Sequence, residues 1–278
     1  CLQESQLANW HQQRLRNLVD RAHAYGMEAW AVPNRWAGLF AGWLDGFSHF
    51  SVIHREALLH REDGTPRVEG EMPCCVNHPL VKAHIFACLD ALLERYDFDG
   101  LVWDEPHADV CWCEHCRRLT DRPTRAWYLQ RFAGFIDEIT AYARARRERL
   151  KASLFVQPHN EDLIMALMAT RELDYLGSDG HVRSEDHVMH RMKGTIFAAH
   201  EKYAARLQAA GHQTFFLIEA QRHRDEDLDN YLENIDRAVN LPMDHLMYYY
   251  CAHEMSAKKE PVFNEATWKA VASVEKKR

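Results

Sequence analysis

Residues 100–107 read Gly-Leu-Val-Trp-Asp-Glu-Pro-His, and this stretch decides the fold class. A glycine opens a short, continuously apolar run, which ends abruptly in two acids, a proline and an imidazole. Continuous apolar runs of this length mark strands covered on both faces, as in a parallel sheet. The pattern recurs in Met27–Val32, Ala152–Gln157, Leu173–Ser178, Gln213–Ile218 and His245–Tyr250. A segment of helical periodicity precedes each run. These are Leu7–Tyr25, the segment carrying Val81, Ile85, Leu89 and Leu92, a long one opening at Pro123, then Leu163–Thr170, Thr195–Ala210 and Leu228–Val239. Alternating helices and buried strands predict an α/β fold with a parallel sheet.

A doubly wound sheet and a TIM barrel share that rhythm, and the strand ends decide between them. After Asp104-Glu105-Pro106-His107 come Gln157-Pro158-His159-Asn160, Ser178-Asp179-Gly180-His181, Glu219-Ala220-Gln221 and Cys251-Ala252-His253-Glu254. Acid, amide and imidazole groups thus recur at the C-terminal tips. In a barrel those tips converge on one site, whereas in an open sheet most lie too far apart to cooperate. No glycine-rich phosphate loop follows any strand, which weakens a dinucleotide reading. The prediction is a (β/α)8 barrel forming one domain over residues 1–278, with a loop region at about 74–117 that holds six of the eight cysteines.

Composition agrees. The 278 residues carry a net charge of −7, with 47% hydrophobic and 27% charged residues, as in a soluble globular protein. The acidic balance argues against a nucleic-acid surface. No uncharged apolar run reaches the roughly 18 residues of a membrane span. The basic run Arg144, Arg146, Arg147, Arg149 and Lys151 closes the long helix and reads as a solvated end that complements the helix dipole. The expected compartment is the cytoplasm, although a first-position cysteine also fits a lipidated mature protein. Oligomeric state is not legible.

Three of the eight cysteines, Cys111, Cys113 and Cys116, form C-x-C-x2-C. A tight thiol cluster in a large acidic chain reads as a metal site rather than a disulfide framework. Zinc takes four tetrahedral ligands, so a fourth must come from elsewhere. Cys75 is the best candidate, with Cys74, His78 and His115 as substitutes. Four thiolates would make the site closed and structural. Cys88 reads as core, on the apolar face of its helix.

Two glutamates, Glu105 and Glu219, directly follow strands, as does Asp104. Facing carboxylates are the basic equipment of glycoside hydrolysis, one protonating the leaving oxygen and the other attacking the anomeric carbon or activating water. Arg35 and Trp36 follow the first visible strand, and His107, His159, His181 and His253 lie at other tips. Aromatic platforms and hydrogen-bonding groups suit the apolar faces and hydroxyls of sugars. Trp103 sits within a strand and reads as core.

In order and spacing these residues resemble the barrel domain of glycoside hydrolase family 42, the β-galactosidases of clan A. The resemblance runs from the Gly26-Met27 strand to Tyr248–Tyr250. Asp63-Gly64 resembles the family's stretch ahead of its first metal cysteine, Cys75-Val76-Asn77-His78-Pro79 its Cys-x-x-x-Pro segment, and Cys111–Cys116 its C-x-C-x2-C. The resemblance implies a structural zinc on Cys75, Cys111, Cys113 and Cys116, near the active-site face. It implies Glu105 as the acid/base closing strand four and Glu219 as the nucleophile closing strand seven. The visible strands would then be three to eight, the first strand or strand–helix unit would be absent, and Glu4 would sit at a strand tip. One departure stands out: the clan's Asn before the acid/base is Asp104 here, which makes Asp104 a modulator or a substitute acid.

The expected function is therefore a retaining glycoside hydrolase acting on a carbohydrate substrate. Glu4, Arg35, Trp36, His107, His159, Asp179, His181, His253 and Glu254 are the expected substrate contacts. The rival readings are a non-hydrolytic carbohydrate-binding barrel and a metal-dependent hydrolase or lyase using His and Asp at the strand tips.

Overall fold

The computed structural model describes residues 6–40, 48–180, 196–219 and 228–249. Of the expected site residues, Glu4, His181, His253 and Glu254 lie outside these ranges, as does Cys251. Among the described residues there are six strands: β1 (Trp30–Ala31), β2 (Gly100–Asp104), β3 (Lys151–Val156), β4 (Tyr175–Gly180), β5 (Gln213–Glu219) and β6 (His245–Tyr249). The α-helices are α1 (Gln6–Ala24), α2 (His49–Ile53), α3 (Pro79–Arg95), α4 (Glu114–Leu119), α5 (Arg125–Arg146), α6 (Glu161–Leu167), α7 (Ile196–Ala209) and α8 (Leu228–Val239).

The strands form one parallel sheet in chain order, β1 to β6. Sequential order follows the winding of a (β/α)8 barrel, whereas a doubly wound sheet reverses direction at a switch point. No described helix is long and apolar enough to cross a membrane.

The chain divides into two compact units, one of Cys1–Leu154 with Met165–Asp174, the other of Phe155–Ile164 with Tyr175–Arg278. In the first, Leu101, Val102 and Trp103 of β2 are fully buried. The Trp103 indole N–H donates to Thr140 Oγ1 of α5 at 3.1 Å, so this tryptophan is core, as expected. Helix α3 starts at Pro79, whose missing N–H costs nothing at a first helical position. It buries Val81, Ile85, Leu89 and Leu93, with Leu93 in place of the expected Leu92, and these four-residue steps wind the buried stripe gradually around the helix. Thr124 caps α5 by accepting from Trp127 N at 3.2 Å.

The basic run at the end of α5 is a clamp rather than a solvated end. Arg147 donates to the carbonyls of Leu93, Tyr96 and Phe98 at 3.1, 3.0 and 2.9 Å, satisfying the carbonyls that close α3. Arg144 joins Glu172 at 3.0 Å and Asp174 at 2.7 Å, and Lys151 joins Glu28 at 2.6 Å. The reason is topological: the helix end lies against the loops entering the strands, which carry acids.

In the second unit β4, β5 and β6 pair in parallel register, with Tyr175 beside Gln213 and Phe215 beside His245. Thr214 and Asp244 lock the entry to β5 and β6. Asp244 Oδ2 accepts from Thr214 N at 2.7 Å, and Asp244 N donates to Thr214 Oγ1 at 2.9 Å. Gly177 is required, since a Cβ there would lie 1.4 Å from the Phe215 carbonyl oxygen.

Candidate active site and metal centre

The segment between α2 and α3 folds back on itself as a narrow antiparallel ribbon. Leu58 bridges Cys74 and His60 bridges Pro66. Leu59 N donates to Pro73 O at 2.7 Å and Cys75 N to Ala57 O at 2.8 Å. Trp112 N reaches His60 O at 2.9 Å, which ties the ribbon to the second cysteine segment. Successive residues of an extended chain point to opposite faces. Only one of Cys74 and Cys75 can therefore face Cys111.

That residue is Cys75. The Sγ atoms of Cys75, Cys111, Cys113 and Cys116 all lie within 4.8 Å of one another, and all four residues are buried. Cys75 to Cys116 is 3.5 Å, and Cys113 to Cys75 is 3.7 Å. This group could hold a metal ion. Cys74 instead points to Met72 O at 3.9 Å, and burial pushes its thiol up to about 12. His78 is used as a helix cap, its Nδ1 accepting from Leu80 N at 3.3 Å. His115 packs edge-on to the His78 ring, outside the sulfur group. The C-x-C-x2-C segment, read from sequence as loop, is partly helical: Cys113 precedes α4 and Cys116 lies on it.

The sulfurs receive N–H groups as metal-bound thiolates do. His60 N and Cys113 N point at Cys111 Sγ at 3.3 and 3.4 Å, and Asn77 Nδ2 at Cys116 Sγ at 3.2 Å. Asn77 Oδ1 accepts from Arg131 Nε at 3.1 Å, fixing the amide orientation. The buried Tyr128 hydroxyl accepts from Val76 N at 3.2 Å beside Cys75. Burial pushes the Cys75 thiol up, while hydrogen bonds from Cys111, Cys116 and Cys75 pull Cys113 down. Four buried sulfurs so close cannot all ionise without a cation between them.

A second cluster is built on the tips of β1 and β2. Glu105 directly follows β2 with a backbone φ of 38°, a left-handed conformation costing about 1–3 kcal/mol for a non-glycine residue. Pro106 restricts it further and bridges Phe40. The other described non-glycine residues with positive φ are Arg35, Ala37 and Met72. All four belong to the same neighbourhood. Gly38 packs so tightly on Met72 that a Cβ would lie 2.5 Å from its carbonyl oxygen, and His107 N donates to Leu39 O at 2.6 Å. Trp36 meets the buried Trp103 edge-on at 5.8 Å, and Phe40 stacks on Trp103 at 5.2 Å.

The titratable groups here are Arg35, Glu71 and His107. Arg35 Nη1 lies 3.0 Å from Glu71 Oε1, and His107 Nε2 bonds Glu71 Oε2. The hydrogen bond from His107, then charge attraction from His107 and Arg35, hold the Glu71 carboxyl below its usual value despite partial burial. Glu71 has no signal in the sequence. It sits in an aperiodic stretch, and what singles it out is a contact between three distant loops. Beyond His107, Asp109 pins the chain toward Cys111. It accepts from Arg67 Nη1 at 2.5 Å, Arg125 Nη1 at 3.2 Å and Val110 N at 2.8 Å.

The first unit therefore brings together Arg35, Trp36, Glu105 and His107, and next to them Asp104 at the end of β2. In the second unit, His159 is exposed in the turn after β3, and Tyr203 donates from its hydroxyl to Pro158 O at 3.2 Å beside it. Asp179, expected just past a strand, lies within β4 opposite Leu217 and is 1% exposed. The strand runs two residues further than its apolar pattern suggests because Ser178, Asp179 and Gly180 continue the ladder. Glu219 is the last residue of β5, opposite Tyr249.

No family model matches the sequence, and no curated protein matches it. Among solved structures the fold is that of glycoside hydrolases. A cold-adapted β-galactosidase from Rahnella sp. R3 superposes with a TM-score of 0.62 at 12% identity, over 99% of this chain and 49% of that one. A β-galactosidase from the Antarctic haloarchaeon Halorubrum lacusprofundi gives 0.60 at 11% identity, over 95% and 50%. An α-L-fucosidase isoenzyme from Paenibacillus thiaminolyticus gives 0.58 at 13%, over 95% and 39%. The chain thus spans at most half the length of these proteins. Likeness at such identity defines the fold.

Proposed function

We propose that the protein is a glycoside hydrolase working with two carboxylates, related to the β-galactosidases of family 42. The observation that carries this reading is Glu105, held in a strained backbone at the end of a parallel strand, in a fold shared with glycoside hydrolases. Glu219, ending β5, is the proposed partner. In the retaining form, the Glu219 carboxylate attacks the anomeric carbon while Glu105 gives its proton to the leaving oxygen as the glycosidic bond breaks. Water then attacks the glycosyl–enzyme ester, Glu105 takes the water's proton, and Glu219 leaves as carboxylate. Asp104 modulates Glu105 or substitutes for it. Arg35, Trp36, His107, His159 and Asp179 are the proposed sugar contacts among the described residues.

We further propose that the sulfur group binds structural zinc. Tetrahedral Zn–S bonds of about 2.3 Å put sulfurs about 3.8 Å apart, close to the 3.5 and 3.7 Å found. All four positions are sulfur, so no open position is left for a reacting water.

The test is turnover of a panel of 4-nitrophenyl glycosides, beginning with the β-galactoside. The parent protein turns over at least one of them, and Glu105→Gln and Glu219→Gln each lower kcat by about 10³-fold or more with KM little changed. A parent inactive on every glycoside, or a Glu219→Gln variant with full activity, overturns the reading.

A further inference from the structure

We propose that Glu71 is a positioning residue, which holds the His107 ring as its Nε2–H tautomer so that Nδ1 faces the substrate as a hydrogen-bond acceptor for a sugar hydroxyl. The inference rests on the glycosidase reading for the identity of that hydroxyl, but the tautomer itself does not depend on it.

The chemistry starts at Glu71. An ionised carboxylate only accepts hydrogen bonds. Its Oε2 is bonded to His107 Nε2 and its Oε1 to Arg35 Nη1 at 3.0 Å. Nε2 must therefore carry a proton, and in the neutral ring Nδ1 is left with a lone pair. No described residue bonds Nδ1. The ring stands two residues beyond Glu105, and its own backbone is tied to Leu39 O at 2.6 Å. His107 is 38% exposed, as a group meeting a ligand must be. A lone imidazole can rotate and exchange tautomers, and a carboxylate on one nitrogen removes that freedom.

Backbone strain supports the same assignment. Arg35 is itself left-handed, Met72 follows Glu71, and Glu105 stands two residues before His107. Each member of the ionic group thus lies at, or within two residues of, a strained residue. Strain of this kind persists where the surroundings over-determine a geometry. Arg35 completes the arrangement. Its guanidinium fixes the other carboxylate oxygen, so Glu71 cannot swing away from the imidazole.

The test compares the parent with Glu71→Met, Glu71→Gln, His107→Asn and His107→Gln, after circular dichroism has verified folding. Long-range ¹H–¹⁵N correlation spectra, with His107 assigned by its loss in His107→Gln, give the tautomer without any substrate. The parent shows Nε2–H, Glu71→Met loses that preference, and Glu71→Gln, whose amide oxygen still accepts, restores it. On the glycoside turned over, Glu71→Met raises KM about tenfold and leaves kcat within about twofold. His107→Asn, which keeps an acceptor near the Nδ1 position, retains a KM within about threefold, whereas His107→Gln raises it about tenfold. A parent ring protonated on Nδ1 alone, or an unchanged KM in Glu71→Met, overturns the proposal. If no glycoside is turned over, the glycosidase reading and the sugar hydroxyl fall together, while the tautomer still stands or falls by the spectrum.

Discussion

The thiol cluster and the Arg35–Glu71–His107 cluster share one short stretch of chain, Glu71 to Cys75, yet they are held by different physics. The sulfur group draws three of its members from one turn and needs a single long-range contact to complete it. The ionic group draws every member from a different loop, each 36 residues from the next. Ligand chemistry is written in local spacing, because a metal demands donors at fixed short distances. Charge pairing across loops is set by topology alone, so no spacing announces it. The sulfur group is buried, and the ionic group is partly exposed beside a strained glutamate.

The comparison predicts a large stability effect from one side. Cys113→Ser should abolish binding of about one zinc per chain and lower stability by several kcal/mol, a drop in Tm of about 10 °C or more. Metal analysis and thermal melts check both. Full metal retention in the variant would break the contrast.

Gly38→Ala probes the seam under the ionic group. The position has a φ of 66°, and the added Cβ would lie 2.5 Å from the Met72 carbonyl oxygen. A loss of about 2–3 kcal/mol is expected in urea unfolding, from strain and clash together. Tyr128→Phe should cost about 1–3 kcal/mol by orphaning the buried Val76 N–H. It should also weaken metal binding measurably, since Val76 adjoins Cys75. Unchanged zinc affinity would separate Tyr128 from the metal centre.

The smallest effect is in pH dependence. The Glu71 carboxyl lies below its usual value because His107 and Arg35 favour its charged form. Its stabilising contribution is therefore present above the unfolded value of about 4.3 and lost as pH falls through the lower folded value. The stability gap between the parent and Glu71→Met should thus narrow as pH is lowered through that range. A gap that widens in acid would have the wrong sign.

Much of the frame is legible from hydrophobic pattern. Gly100–Asp104 and Leu228–Val239 match the expected limits, since Gly100 and the Asp104-Glu105 pair punctuate the strand, and the acids Asp225–Asp227 and the Asn240-Leu241-Pro242 stop punctuate the helix. The β1 strand is shorter than its apolar run: only Trp30 and Ala31 pair, against Gly100 and Leu101. Trp30 lies so close over Gly100 that a Cβ there would come within 2.4 Å of its ring, so the glycine is part of the pairing. Short helices such as α2 and α4 leave no periodic signal in so few residues. Spacing alone leaves the fourth sulfur open between Cys74 and Cys75, and the pleat of the ribbon decides it. The role of Arg147 needed the third dimension, because its partners are backbone carbonyls some fifty residues away.

The central claim is that Glu219 attacks the anomeric carbon. Incubation with an activated 2-deoxy-2-fluoro glycoside of the sugar that is turned over should stall the reaction at the glycosyl–enzyme ester. Peptide mass spectrometry of the stalled protein should find one fluoroglycosyl group per chain, on Glu219. A label on another residue, or an unlabelled protein that continues to turn over its glycoside, would contradict the account.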